Sequence, residues 1–244
     1  MTRNLTIPPD QLFDGTVPAE AADIVLAQLE AAEETGLSEW QKARLGKITG
    51  SNFGRITRGR GDKGWSQGTE TFMNEIIGEW MTGQPANEFT SVATDWGIEY
   101  EDEAIQIYEQ KTRRKVVRGK FYKAEQFQLV GCTPDGVGRN YGLEVKCPIT
   151  PKNHIRAMET GEVPEEYRDQ VNGHMLVTGK KKCAFVSYHP LMKRPEWKMV
   201  VIDVDRNRMA MDELEERLFE FEACLIRRLD HLGIDWRNPN YFDL

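Results

Sequence analysis

Cysteine is scarce: 4 occur in 244 residues, at positions 132, 147, 183 and 224, and no two stand in a CxxC pair. That spacing suggests neither a zinc knuckle nor a disulfide framework, and the plain expectation is reduced thiols filling a core. Long apolar runs are missing too, since nothing approaches the roughly 18 consecutive apolar residues of a membrane span. The start, MTRNLTIPPDQLFDG, lacks the apolar centre of a signal peptide, so the expected location is the cytoplasm. There is no internal repeat, no low-complexity tract and no linker long enough to split the chain. The 4 histidines, at 154, 174, 189 and 231, are scattered and read as hydrogen-bonded structural residues.

What is present describes a globular chain. Hydrophobic residues at 39%, charged residues at 29%, and 6 Trp, 10 Phe and 7 Tyr exclude a disordered polymer. The net charge of −7 argues against general affinity for nucleic acid. Its distribution is uneven, however. Between Ser38 and Gly64 the basic Lys42, Arg44, Lys47, Arg55, Arg58, Arg60 and Lys63 face only Glu39 and Asp62, and the segment KTRRKVVRGK at 111–120 has no acid at all. Two readings fit: an anion-binding concavity on an acidic chain, or two solvated faces.

Periodicity and punctuation predict an amphipathic helix over 18–35, short helical patterns in SEWQKARLG and SNFGRIT, and a glycine-rich basic loop, TRGRGDKGWSQG. Helices are expected over 69–81 and 91–112, then short strands at VVRG, FYKA, FQLVG and GLEVKC. Further helices at 151–160 and 164–178, strands at CAFVSYH and WKMVVIDVD, and a last helix over 207–232 complete the order. The expectation is one α/β (α+β) domain with an N-terminal helical arm.

The segment GCTPDGVGRNYGLEVKCP carries the chemistry. Strand alternation sends Glu144 and Lys146 to one face and Leu143, Val145 and Cys147 to the other, the expected core side, and Pro148 ends the strand. If the strand before Asp135 pairs with this one, Asp135 and Glu144 converge. Two carboxylates without His or Cys nearby suit a hard cation, Mg2+ or Mn2+, rather than zinc. A lysine beside them can orient a nucleophile or stabilise charge developing on a phosphodiester. Taken singly, Pro134-Asp135-Gly136 is also a common turn and Glu144 with Lys146 also a plain strand face. Glu101, in WGIEYEDEAIQIYEQ, has Gly97, Ala104, Ile105 and Tyr108 as helical neighbours, a small and apolar face. A carboxylate aimed there needs a cation or metal as partner. Glu99, Asp102, Glu103 and Glu109 fall on a separate face, read as solvated. Arg44 and the start of the helical pattern at Ser51 could together hold one phosphate, or be a surface arginine and a helix cap.

EWQKARLGKITGS at 39–51, MTGQPAN at 81–87, WGIEYEDEA at 96–104, GCTPDG and GLEVKCP within 131–148, YRDQVNGHMLVTG at 167–179 and YHPLMKRPEWKMVVIDVD at 188–205 together resemble the lambda exonuclease group, also called YqaJ-type viral recombinases, of the PD-(D/E)xK superfamily. The resemblance implies a restriction-endonuclease-like core, a central mixed sheet flanked by helices, with residues 1–36 as a helical arm and 37–244 as a single exonuclease domain. It implies that Asp135, Glu144 and the Val145 main-chain carbonyl bind metal, that Lys146 is the catalytic lysine, that Glu101 assists, and that Gln170 lies near the reacting phosphate. Arg44 and Ser51 match the pocket for a 5′-terminal phosphate, and Lys47, Arg55, Arg58, Arg60 and Lys63 are expected along the duplex backbone. The Trp residues are expected in the core, although Trp65 in the basic loop could also wedge or stack against bases. The implied activity is Mg2+-dependent, 5′ to 3′ digestion of one strand of linear double-stranded DNA, with Mn2+ able to substitute. A ring-shaped homotrimer, a single-strand annealing protein as partner, and phage or prophage recombination in the cytoplasm of a bacterial host go with it. An endonuclease or resolvase without end dependence, and a non-catalytic DNA-end or partner-binding module, are the alternatives.

Overall fold

The computed structural model describes residues 37–57, 59, 64–86 and 92–243, so the helix expected over 18–35 lies outside them, as do Arg58, Arg60 and Lys63. Helix α1 (Glu39–Arg44) starts with a reciprocal cap: the Gln41 N–H donates to Ser38 Oγ at 3.2 Å and the Ser38 N–H to Gln41 Oε1 at 2.8 Å. The site lies in the compact unit from Ala43 onward.

That unit runs β1 (Ile48–Thr49), a 3-10 turn (Gly50–Arg55), α2 (Gln67–Thr82), α3 (Val92–Thr112), β2 (Tyr122–Lys123), β3 (Val130–Cys132), β4 (Gly136–Val137), β5 (Tyr141–Lys146), α4 (Lys152–Thr160), α5 (Glu165–Thr178), β6 (Lys182–Tyr188), β7 (Met199–Asp205) and α6 (Arg208–His231). The small sheet has the order β1-β3-β2, with β1 parallel and β2 antiparallel to β3; the larger has β4-β5-β6-β7, with only β5 and β6 parallel. The strand expected at VVRG is reduced to a bridge between Val117 and Val137. One expectation is corrected: the strand before Asp135, β3, belongs to the small sheet, and the strand after it, β4, pairs with β5.

β5 is central, flanked by β4 and β6, and Gly142 to Val145 are buried on both faces. On one face Leu143, Val145 and Cys147 join Ala184, Val186 and Tyr188 of β6 against Ala104, Ile105 and Tyr108 of α3. On the other, Cys183 and Phe185 of β6 belong to the larger core built with α2, α5 and α6, through Phe72, Met73, Val171, Met175, Leu218 and Phe221 among others. The three buried cysteines, Cys132, Cys147 and Cys183, fill core as expected, and Cys224 is half-buried.

Two contacts fix α5 against the 3-10 turn. A Cβ at Gly173 would lie 2.2 Å from the fully buried Phe53 ring, so the helix approaches closer than any side chain permits. Arg217 of α6 donates to the Ile56 carbonyl at 2.8 Å and to Asp169 Oδ2 at 2.8 Å, tying α6 to both. Gly173→Ala should therefore destabilise the protein by about 1–3 kcal/mol, the usual range for an overpacked core. Calorimetry should show this as a melting temperature lower by roughly 2–4 °C per kcal/mol for a domain of this size. An unchanged melting temperature would mean that Phe53 swings aside freely.

Candidate active site

Alternation along β5 places Glu144 and Lys146 on the same face, as the sequence indicates, but the face is not solvated. Glu144 is 0% exposed, and the Lys146 side chain, 26% exposed, sets Nζ 2.5 Å from Glu144 Oε1. His174 of α5 brings Nδ1 to 3.2 Å from Glu144 Oε2. Neither Glu144 oxygen meets hydrogen-bond geometry with any partner, so a carboxylate in the middle of a sheet lacks the bonds that buried polar groups normally have. Asp135 arrives from the turn between β3 and β4, and its Oδ2 accepts from the Val145 N–H at 2.6 Å. Asp135 and the Glu144–Lys146 strand are thus brought together through the peptide of Val145.

The electrostatics follow from burial and crowding. Burial pushes the Asp135 carboxyl well above the usual carboxylate range, and the neighbouring Glu144 and Glu101 add to the shift. Burial works against the Lys146 charge, yet Glu144 and Asp135 outweigh it and hold the ammonium above its ordinary value. Burial lowers His174, although Glu144 opposes this. The carboxylates of Asp135 and Glu144 form an oxygen donor set in which both Glu144 oxygens lack hydrogen-bond partners, and such a set fits a hard divalent cation; the expectation that no histidine stands nearby is corrected by His174. Among the described residues no three His, Cys, Asp or Glu side chains cluster as a metal cage. The expected set of two carboxylates and the Val145 main-chain carbonyl does not need one.

Glu101 sits on α3 and is half-buried; Arg118 Nη2 donates to it at 3.2 Å and also pairs with Asp102. Burial raises its pKa, Arg118 opposes, and Glu144 and Asp102 reinforce the rise. Its carboxylate and Lys146 line a cleft of about 490 Å³ with Val145, Cys147, Glu166 and Tyr167, and Lys146 Nζ lies 5.3 Å from the centre of the Tyr167 ring. Gln170 follows Tyr167 by three positions and precedes His174 by four on α5, so helical spacing sets it between two residues that touch the site.

Arg44 and Ser51 also meet. The Arg44 guanidinium reaches Thr133 Oγ1 and Thr49 Oγ1 at 3.4 Å and Ser51 Oγ at 3.5 Å. Burial lowers the Arg44 pKa while Glu79 supports its charge. Ser51 lies inside a 3-10 turn that begins at Gly50, rather than opening an α-helix. Lys47 is half-buried against the Trp80 ring at 5.4 Å, and burial together with Lys123 lowers it to about 8 despite Glu222.

Several sequence readings are corrected by ion pairs that charge counting cannot see. Arg55 makes two bonds to Glu75, at 2.7 and 2.8 Å, with its guanidinium over Phe72, so its charge is balanced locally although its side chain stays 35% exposed. The 111–120 run is neutralised in part: of its basic residues, Arg114 binds both oxygens of Asp203, Lys115 pairs with Glu109, and Arg118 with Glu101 and Asp102. The solvated acidic face is partly a bonding face, since Glu103 accepts from Tyr188 Oη at 2.6 Å and Glu109 from the Val116 N–H at 3.0 Å. Trp65 is partly buried and packs edge-on against Phe221, 5.8 Å between ring centres, at the margin of the core, in line with the core reading of the tryptophans. His154 is structural as expected, bonded to Ser187 and the Trp197 carbonyl. His174 was missed; its spacing from Gln170 on one helix face was the available signal.

A family model for the YqaJ-like viral recombinase domain matches residues 39–181, the stretch holding every expected site residue. No curated protein matches the chain. Among solved structures, the alkaline exonuclease LHK-Exo from Laribacter hongkongensis is similar at 28% identity and a TM-score of 0.72, over 80% of this chain and 95% of that one, both alone and in complex with dAMP. A phage related exonuclease from Haemophilus somnus 129PT shares the fold at a TM-score of 0.61 and 14% identity, over 76% of this chain and 96% of that one. The mixed α+β architecture, with helices on both faces of a mixed sheet, is therefore that of PD-(D/E)xK-type exonucleases, and the chain belongs to the family of YqaJ-like viral recombinase domains.

Proposed function

We propose that the protein is a divalent-metal-dependent deoxyribonuclease that digests one strand of linear double-stranded DNA from its 5′ end, leaving a 3′ overhang for recombination by strand annealing. The observation that carries this is the convergence of Asp135, Glu144 and Lys146, with both oxygens of the buried Glu144 lacking hydrogen bonds. Asp135, Glu144 and the Val145 carbonyl would hold Mg2+, with Mn2+ as substitute. When bound, the ion supplies Lewis acidity at the phosphate and lowers the pKa of water.

The chain's own groups do the rest. Because two carboxylates keep Lys146 protonated, it acts as a donor that orients the attacking water and stabilises charge on the phosphate, not as a base. Gln170 and Glu101 flank the reacting phosphate from α5 and α3. The Arg44–Ser51 cluster grips the 5′-terminal phosphate and so fixes which bond is cut. Lys47, with Arg58, Arg60 and Lys63, follows the duplex backbone; Arg55 is left out of that track because Glu75 holds it. A ring-shaped homotrimer, an annealing-protein partner, a phage or prophage origin and action in a bacterial cytoplasm complete the proposal. Among the described residues no helix is long and apolar enough to cross a membrane.

The test is digestion of linear duplex bearing a 5′ phosphate, beside 5′-hydroxyl and closed circular duplex, in Mg2+ or EDTA. The proposal expects Mg2+-dependent loss of one strand, fastest with the phosphate and absent in Lys146→Ala; cleavage of the circle would support the endonuclease alternative, and absence of all cleavage a non-catalytic module. Binding separates the two anion sites: in EDTA, wild type should still prefer 5′-phosphorylated over 5′-hydroxyl ends, and Arg44→Ala should erase the preference. Lys47 gives a pH signature. With its ammonium deprotonating near 8, duplex affinity in EDTA should fall between pH 7 and 9, and Lys47→Arg, which stays charged, should flatten that fall.

A further inference from the structure

Helix α5 presents to the catalytic strand one residue outside the expected catalytic set. His174 is 1% exposed and Glu144 is 0% exposed, and Nδ1 stands 3.2 Å from Oε2 while Lys146 occupies the Oε1 side at 2.5 Å. The carboxylate is therefore flanked at each oxygen by a potential donor. Nδ1, Oε1 and Oε2 all fall outside hydrogen-bond angles. Active-site bonds are commonly long or poorly aligned before the reacting groups are in place. On its far side the ring faces the turn that carries the Arg44 cluster: a Cβ at Gly50 would lie 3.2 Å from Nε2, so a side chain at that position, next to Ser51, would crowd the imidazole. The ring thus lies between Glu144 and that turn.

We propose that His174 is a positioning residue whose Nδ1–H fixes the rotation of the Glu144 carboxylate and thereby sets the affinity of the site for its divalent cation. The inference rests on the metal-site reading above. Partners one step out from a metal ligand ordinarily change metal affinity or activity by about 10–100-fold when removed.

Asn and Gln separate this role from space-filling, because the Asn amide places its N–H near the position of Nδ1 and the Gln amide near that of Nε2. Mn2+ binding to the DNA-free protein, followed by the electron paramagnetic resonance of free Mn2+, should be weakened about 10–100-fold in His174→Gln and His174→Leu and stay near wild type in His174→Asn. Cleavage of 5′-phosphorylated linear duplex should follow the same order in kcat, with KM for DNA unchanged. Equal Mn2+ affinity in the Asn and Gln variants would overturn the inference while leaving the nuclease reading intact. If the Leu variant does not fold, the Asn–Gln comparison alone decides. A wild type that neither binds Mn2+ nor cleaves DNA would overturn the metal-site reading and the inference with it.

Discussion

The structure is organised around one costly group, the Glu144 carboxylate, buried completely in the central strand of the larger sheet. An ionised carboxylate taken out of water loses several kcal/mol of hydration, and the loss is recovered only if cations and donors are held nearby. Lys146 comes from the same strand two residues on, which costs no extra chain ordering. His174 comes from α5, so two segments must be placed correctly for one side chain to be tolerated, while Asp135, from the turn into β4, adds a like charge and raises the cost. The Asp135–Val145 bond fixes that turn, because a carboxylate accepting a main-chain N–H within the sheet cannot drift without breaking the hairpin.

Helix α5 links the Glu144 strand to the turn that contains Ser51. It sets His174 against Glu144 and packs its bare Gly173 on Phe53 of that turn. Close-packed interiors transmit position with little slack. The distance from the Arg44 cluster to Glu144 is consequently a property of the core, and Arg217, bonded to Ile56 and Asp169, reinforces it from α6.

Much of this was legible in the sequence, and the failures share a cause. Period-2 alternation correctly put Glu144 and Lys146 on one side, but it presumed a wet face, and β5 lies between two strands with a helical layer on each side. The helix bounds and most strands came through because their patterns are local. The strand β4 has only two residues, Gly136 and Val137, too short to leave a period, so the sequence offers only the strand before Asp135 as a partner for β5. Arg55, Arg114 and Arg118 looked like free cations because their partners, Glu75, Asp203 and Glu101, lie 20, 89 and 17 positions away. His174 looked ordinary because a lone histidine gains meaning only from the strand it faces.

The charge balance around β5 bears on how an anionic substrate is admitted. Asp135, Glu144 and Glu101 outnumber Lys146 and Arg118, and Arg118 is shared with Asp102. A low-dielectric pocket with excess carboxylates repels a phosphodiester, so in the proposed reading the scissile phosphate enters only as a divalent cation offsets them. The Arg44 cluster differs in kind, a guanidinium with hydroxyl groups and the charge of Glu79 nearby, and in the proposed reading it takes the 5′-terminal phosphate through its own hydrogen bonds. In that reading the core between the two sites holds one that takes phosphate through a guanidinium and another that takes it only through a bound cation.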